Sequence, residues 1–420
     1  MSVASNDPRM PASRPRHALL FIFVTVLLDS IGVGIILPVT PALIIDLIGG
    51  DLSGASIYGG WLGFVFAAMQ FLFAPVLGNL SDRFGRRPVI LFALATLGID
   101  YLVMALAPTI AWLFLGRAVA GLAGASFTPA YAYVADVTPA EQRARAFALL
   151  GAAFGAGFIL GPAVGGLLGA LGPRAPFYAA ALISLANLGY GWLVLPESLP
   201  RQSRRPFEWR RANPAGTLIR MRRHPEVLAL LLAIFLWNVA GQVYPSTWAF
   251  YTMHKFGWSE AAVGASLAFA GVIVVASQGG IARVLFPRLG EARTAFIGIL
   301  CGAGGFLGYA FASQGWMMYA WLLTWLLGGI VYPGMNALAS HRIAADAQGE
   351  LQGAIASSFG LASIVGPPLM TQLFGHFSAP GAPIAFPGAA FACAAALAVA
   401  TLPILRGALR AEAGRPRSRD

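Results

Sequence analysis

Three charged residues lie deep inside apolar stretches of this chain: Asp29, Asp100 and Arg117. Asp29 stands in LDSIGVGIILPVTP (28–41), Asp100 in LGIDYLVMA (97–105) and Arg117 in GRAVAG (116–121). A charge at the centre of a membrane helix costs about 2.5–3.5 kcal/mol on insertion scales. Each therefore needs compensation or a task. With the N-terminus inside, a rise of 1.5 Å per residue puts Asp29 about 16 Å and Asp100 about 18 Å from the inner face. Arg117 then lies about 12 Å from the outer face of a core about 30 Å thick. All three share one level. Two carboxylates and one guanidinium leave one acid without a permanent cation, and such an acid can exchange a proton as its contact with water changes. The alternative is static: a fixed ion pair beside a neutral, hydrogen-bonded acid that only sets helix packing.

The elements that hold these residues follow from composition. Of 420 residues, 58% are hydrophobic and 11% charged, against about 25% charged in a soluble domain; the mean hydropathy is +0.71. The chain is an integral membrane protein. Runs of about 20 apolar residues, the length a span requires, fall near 18–41, 57–80, 88–107, 109–135, 144–169, 175–195, 225–251, 259–284, 293–312, 315–338, 349–374 and 384–405. Strict two-residue alternation is missing, which argues against a barrel. The expected fold is all-α with twelve spans. The first run holds Asp29 and has no small-residue cleavage site, so it reads as an uncleaved first span.

Charge sets the orientation. With the N-terminus inside, 25 of the 28 Lys and Arg residues fall in inner segments, two (Arg174 and Lys255) in outer loops, and Arg117 within a span. Both termini are expected in the cytoplasm. The net charge of +11 is spread over short clusters between apolar runs. That suits a lipid-facing inner surface and not a nucleic-acid partner. Cys301 and Cys393 sit in apolar runs and read as inert hydrophobes, neither disulfide nor metal site.

The chain divides into a tail (1–17), a six-span half (18–195), a linker (196–224), a second six-span half (225–405) and a tail (406–420). The halves repeat. At an offset of 205, Phe154-Gly155 maps to Phe359-Gly360, Gly161-Pro162 to Gly366-Pro367, and RFGRR (83–87) to RLGEA (288–292). Near the start of each half, Gly34 and LPVT answer to Gly241 and YPST at an offset of 207. Two such repeats place a binding site between them near the midplane, with Gly/Pro interruptions in spans 1 and 7 as pointers to it.

Two motifs and an aromatic stripe complete the candidates. In GNLSDRFGRRPVI (78–90), Gly78 permits tight packing, Gly85 suits a sharp turn, and Asp82 can pair with Arg86, Arg87 or an arginine of the 4–5 loop. With Arg83 they read as a conformational latch; the simpler reading is a positive anchor. In GAAFGAGFILGPAVGG (151–166), Gly157, Gly161 and Gly165 fall four apart on one bare face, with Pro162 and Gly166 beside them; bare faces let helices cross closely. In span 7, Trp237, Gly241, Tyr244, Trp248 and Tyr251 share a face, with Asn238 and Gln242 beside it and Trp325 and Tyr332 of span 10 able to face them. For Trp248 and Tyr251 an interfacial belt is an equal alternative. Gln70 in span 2 is a further substrate candidate. Aromatic walls with few polar groups suit a planar amphipathic molecule.

On these motifs the sequence resembles the major facilitator superfamily, within it the drug/proton antiporters, and most closely the bacterial tetracycline/proton antiporters. GNLSDRFGRR resembles the superfamily's 2–3 loop signature, GRAVAG its span-4 arginine motif, and GFILGPAVGG the span-5 antiporter motif. MQFLFAPVLG (69–78), GQVYPSTW (241–248) and QGELQGAIAS (348–357) carry the likeness to the tetracycline branch. The resemblance implies that Asp29, Asp100 and Arg117 match membrane charges that matter in those antiporters, and Asp82 their essential loop acid. It also implies a bacterial inner-membrane location. Two departures stand out: Gly302 where the family has an aspartate, and Val274 nearest to a family histidine. In the family these groups serve proton coupling and metal-chelated drug.

The expected function is a proton-coupled exporter of a small amphipathic compound, working as a monomer with protons and the bilayer as partners and no cofactor or metal. A facilitator or importer is the nearest alternative. An enzyme lacks support, since HExxH, GxSxG, P-loop and dinucleotide motifs are all missing. Energy must then come from a gradient.

Overall fold

The computed structural model describes residues 14–124, 127–208, 216 and 221–413. Residues 1–13 and 414–420, together with 209–215 and 217–220 of the expected linker, lie outside the described residues. Every regular element among those described is helical. The hydrocarbon core offers no water to backbone groups, and a helix satisfies them within one segment.

Among the described residues nine helices are each long and apolar enough to cross a membrane. Leu20–Ile36 and Thr40–Ile48, bent by 48° at residues 37–39, make a tenth crossing. The continuous run Glu260–Phe311 has 52 residues, about 78 Å at 1.5 Å per residue, and turns back at Gly290, whose φ of 73° and ψ of 165° are non-helical. It is two crossings. The shorter apolar helix Ile110–Leu122 stands at the fourth expected run, so the described helices are consistent with twelve spans.

The repeat is visible in the backbone. Gly85 turns between spans 2 and 3 with φ 107° and ψ 161°, matching Gly290 at the offset of 205. The same offset carries helix Ile110–Ala123 onto Gly315–Leu322 plus Trp325–Gly328, and the short 3-10 turn Ala140–Gln142 onto Ala345–Ala347. Spans 1 and 7 both break, at 37–39 and at Gln242. Beyond each break a threonine hydroxyl donates to the carbonyl four residues back, Thr40 to Ile36 at 2.6 Å and Thr247 to Val243.

Some ends differ from the sequence expectation. The last span begins at Ala389 instead of 384, because Pro387 and Gly388 fall in a turn, and it continues to Ala413. Span 2 starts early, at Leu52, where the Asp51 carboxylate caps it by accepting from the Gly54 N–H at 2.9 Å.

Arg174 and Lys255, the two exceptions to the charge rule, do equivalent jobs. Arg174 donates to the carbonyls of Ala105 and Ala107 at 2.9 Å, and Lys255 donates to the carbonyl of Ala310 at 3.3 Å. Ala105 and Ala310 are related by the repeat offset. Each cation caps the carbonyl end of span 3 or its counterpart, span 9, where helical carbonyls lack intrahelical donors.

Spans 2 and 11, and spans 5 and 8, form the seams between the halves. At the face away from the arginine-rich loops they touch closely. A Cβ on Gly166 would lie 2.6 Å from the Glu260 carbonyl oxygen, and one on Gly375 would lie 3.0 Å from that of Ser53. Toward the basic face the span 5/8 seam loosens: a Cβ on Gly155 would be 3.7 Å from Val275, and one on Gly151 would meet nothing within 4 Å. Cavities open there.

Candidate functional site

Arg117 donates to Oδ2 of Asp100. The Asp100 side chain is fully buried and that of Arg117 is 13% exposed, with the guanidinium 5.3 Å from the centre of the Phe66 ring. Oδ1 of Asp100 and Nε of Arg117 have no hydrogen-bond partner among the described residues. The pair is thus buried with bonding capacity to spare. Asp29 is also buried and lies within electrostatic reach of Tyr101, next to Asp100 in span 3. Spans 1 and 3 meet here, since a Cβ on Gly32 would be 3.3 Å from the Tyr101 ring. The structure brings Asp100 and Arg117 into contact and sets Asp29 beside the same helix.

At the basic face Arg86 is the hub. It pairs with Asp82 at 2.6 Å and with Asp136 at 3.1 Å, and Nη1 donates to the Ser81 hydroxyl at 3.2 Å. Its backbone N–H donates to Glu197 Oε1 at 2.8 Å. Glu197 in turn faces Arg204 at 3.8 Å, and the Ser198 hydroxyl donates to Asp136 at 3.1 Å. The Arg205 N–H donates to the Asp82 carbonyl at 3.1 Å, so the linker straps the loop down. Gly85 has no side chain because a Cβ would collide with the Glu197 carboxylate. Arg87 donates to the Trp192 carbonyl at 2.7 Å, Arg83 lies 5.1 Å from the Phe84 ring, and Gly78 lines a cavity. Asp136, Glu197 and Arg204 went unnoticed in the sequence; their signal was an acid in VADVTP and another in PES at the inner ends of spans 4 and 6.

The glycine motif serves two neighbours. Gly157, Gly161 and Gly165 seat span 1: Cβ atoms on the first two would lie 2.5 Å from Ser30 Cβ and 2.7 Å from Gly34 Cα, and one on Gly165 would strike the Ile35 carbonyl. Gly34 also packs on the Pro162 ring. Gly166 faces the other way, onto Ala261 and Gly264 of span 8. One segment therefore joins span 1 to the opposite half.

Two cavities lie between the halves. The first, about 390 Å³, is walled by Phe154 and Phe158 of span 5, Tyr244 and Trp248 of span 7, Val274 and Gln278 of span 8, and Trp325 of span 10, with aliphatic residues between. Phe154 and Phe158 stack at 5.9 Å, and the Trp325 indole N–H donates to the Tyr244 hydroxyl. Gln278 opens the π-helical stretch Ser277–Ile281 with Ser277, a local widening that often occurs at functional sites. The second cavity, about 380 Å³, is lined by Gln70, Phe71, Gly78, Ser357 and Ser363 among others; the Gln70 amide donates to the Gly124 carbonyl at 2.8 Å.

The remaining aromatic candidates sort differently. Trp237 is buried away from both cavities, 5.9 Å from Trp325 and against Gly302, where a Cβ would lie 2.6 Å from its ring. Trp248 and Tyr251 are not a membrane belt: both are buried, the first donating to Ser266 at 2.9 Å and the second to the Tyr309 carbonyl at 2.6 Å. Gln242 donates to Ser363 at 3.1 Å, and the Asn238 amide nitrogen has no partner among the described residues. Tyr332 is exposed and lines neither cavity. Among the described residues no cluster of three or more His, Cys, Asp or Glu could hold a metal.

Comparison with known proteins agrees with this geometry. The Major Facilitator Superfamily profile matches residues 22–367. The class C tetracycline resistance protein of Escherichia coli is 40% identical over 94% of this chain and 97% of its own length. The class G tetracycline resistance protein of Vibrio anguillarum is 37% identical over 93% and 98%. Among solved structures, the human organic anion transporter MFSD10 (TETRAN) superposes with a TM-score of 0.68 at 24% identity, covering 94% of this chain and all of that one. A bacterial homolog of the human lysosomal transporter Spinster, inward-facing and occupied, superposes with a TM-score of 0.75 at 14% identity, over 96% and 98%.

Proposed function

Since this chain belongs to the major facilitator superfamily, a family of transporters and not of enzymes, we propose that it couples inward proton flow to the export of a small amphipathic compound. The buried Asp100–Arg117 pair carries this reading. An ion pair with unused hydrogen-bonding atoms, beside a second buried carboxylate, can change its protonation when rocking of the halves admits water. Asp29, Asp100 and Arg117 form the coupling group. The Asp82–Arg86–Asp136–Glu197 network is the latch that orders the cytoplasmic end of the first half, and the glycine motif of span 5 transmits movement between span 1 and span 8. Tyr244, Trp325 and Gln70 face the substrate; Gln242 and Asn238 supply polar support behind them.

We take the basic face and both termini as cytoplasmic; cavities that open toward that face then support an inward-facing state of a bacterial inner-membrane antiporter, which we propose acts as a monomer. The similarity to tetracycline resistance proteins supports export as the direction of transport. Gly302 and Val274 argue against tetracycline itself as a good substrate. The test is proton movement in proteoliposomes across a panel of compounds: a transported compound should release protons from, or draw them into, the lumen with its own flux. Compound flux with no accompanying proton flux would instead mark a facilitator.

A further inference from the structure

We propose that the larger cavity takes an uncharged, metal-free, planar aromatic compound. This deepens the export reading and rests on it for direction alone. The residues lining both described cavities include no ionised side chain. The buried guanidinium of Arg117 is committed to Asp100. An ion entering the larger cavity would leave water without gaining a counter-charge, and that penalty is large in a low-dielectric interior.

A neutral ring system meets the opposite situation. Phe154 and Phe158 offer stacked faces, while Tyr244 and Trp325 meet edge to face at 5.1 Å, leaving ring surface for offset or edge contacts. The polar handles are few and uncharged: the Tyr244 hydroxyl, which already accepts from Trp325, and the Gln278 amide. Both can donate and accept. They suit a carbonyl or ring N–H on the ligand. Where a charge could have stood, the site is closed or apolar. Trp237 fills the space beside Gly302, and Val274 presents isopropyl surface to the cavity. The donor set for a chelated metal is likewise missing among the described residues.

One ring system in three charge states tests this: acridone, the permanent cation 10-methylacridinium, and acridone-2-carboxylate, with magnesium–tetracycline as the chelate. Equilibrium binding to the purified full chain is measured by tryptophan quenching. Acridone should bind at least about tenfold tighter than either ion, and the chelate should compete poorly. Val274→Glu should narrow or reverse the ratio in favour of 10-methylacridinium. Equal or tighter binding of an ion or the chelate to the unaltered chain overturns the proposal, as does failure of acridone to bind. Binding needs no gradient. A chain that binds acridone but exchanges no protons would therefore sink the coupling reading while leaving this site assignment intact.

Discussion

The two halves share a backbone and divide the chemistry. At the repeat offset, Asp100 and Arg117 of the first half correspond to Gly305 and Leu322 of the second. Leu322 lines the larger cavity, and a Cβ on Gly305 would collide with Thr324. Where the first half has buried charges in spans 1, 3 and 4, the second has an uncharged aromatic assembly in spans 7, 9 and 10, with Trp237, Tyr244, Trp248, Phe306, Tyr309 and Trp325 in ring contact. The cytoplasmic ends diverge in the same way. Arg86 with Asp136 becomes Glu291 with His341 at 3.2 Å, with the carboxylate now on the other partner. On the function proposed above, the shared scaffold would assign proton handling to the charged half and substrate recognition to the aromatic one.

The sharpest way to break this comparison is at the two hubs. Arg86→Ala leaves the carboxylates of Asp82 and Asp136 without their shared cation. Its side chain is only 11% exposed, but Asp82 is 39% and Asp136 24% exposed, so water screens the carboxylates and the loss falls well below that of a fully buried pair. Exchange in proteoliposomes should fall by at least about tenfold. The matching Glu291→Ala should change it by less than about twofold, because His341 is 71% exposed and exposed pairs contribute about 0–1 kcal/mol. Equal losses from both would mean that the halves carry equivalent latches. Asp82→Asn should resemble Arg86→Ala, with insertion intact and exchange abolished or strongly slowed.

Next in size is drug specificity. Tetracycline resistance conferred on a sensitive host should be weak or absent, since Gly302 and Val274 stand where the resemblance to those antiporters implies titratable groups. Robust, gradient-dependent resistance would show that a cavity lined by uncharged residues suffices for a chelated drug. Trp248→Phe probes the stability of the same half at a wall of the larger cavity. Losing the indole bond to Ser266 should cost about 1 kcal/mol in thermal unfolding, with little effect on proton coupling.

Much of this division was legible in the sequence. The membrane charges, the repeat offset and the breaks in spans 1 and 7 all lie in local patterns. The acid network was not, because Asp136, Glu197 and Arg204 come from three segments that meet only after spans 2, 4 and 6 pack. Trp237 and Tyr244 share a stripe on a straight helix. The break at Gln242 separates them, so Trp237 turns to Gly302 while Tyr244 faces the cavity. Trp248 and Tyr251 look interfacial by position alone, yet they pack on Tyr309 and Phe391. That burial is a tertiary property.

The smallest expected effect lies outside the membrane. The Ser53 hydroxyl and then the Gly54 N–H hold the Asp51 carboxyl below its ordinary value of 3.8. A depressed folded value means that the cap's contribution is present above the unfolded value and is lost as pH falls through the folded one. Asp51→Ala should therefore cost about 0.5–1 kcal/mol near neutral pH, at the low end for so exposed a group, with the difference from wild type shrinking below about pH 4. A difference that persisted undiminished in acid would remove the cap from the account.

The central claim is that the membrane acids of the first half couple protons to transport. The most direct measurement compares wild type, Asp29→Asn and Asp100→Asn in proteoliposomes, scoring downhill exchange and gradient-driven accumulation of the same compound. Asparagine mimics the protonated carboxyl and cannot release a proton. At least one variant should retain substrate binding or downhill exchange while losing accumulation. If both variants accumulate substrate as well as wild type does, the acids are structural, and the coupling site lies elsewhere.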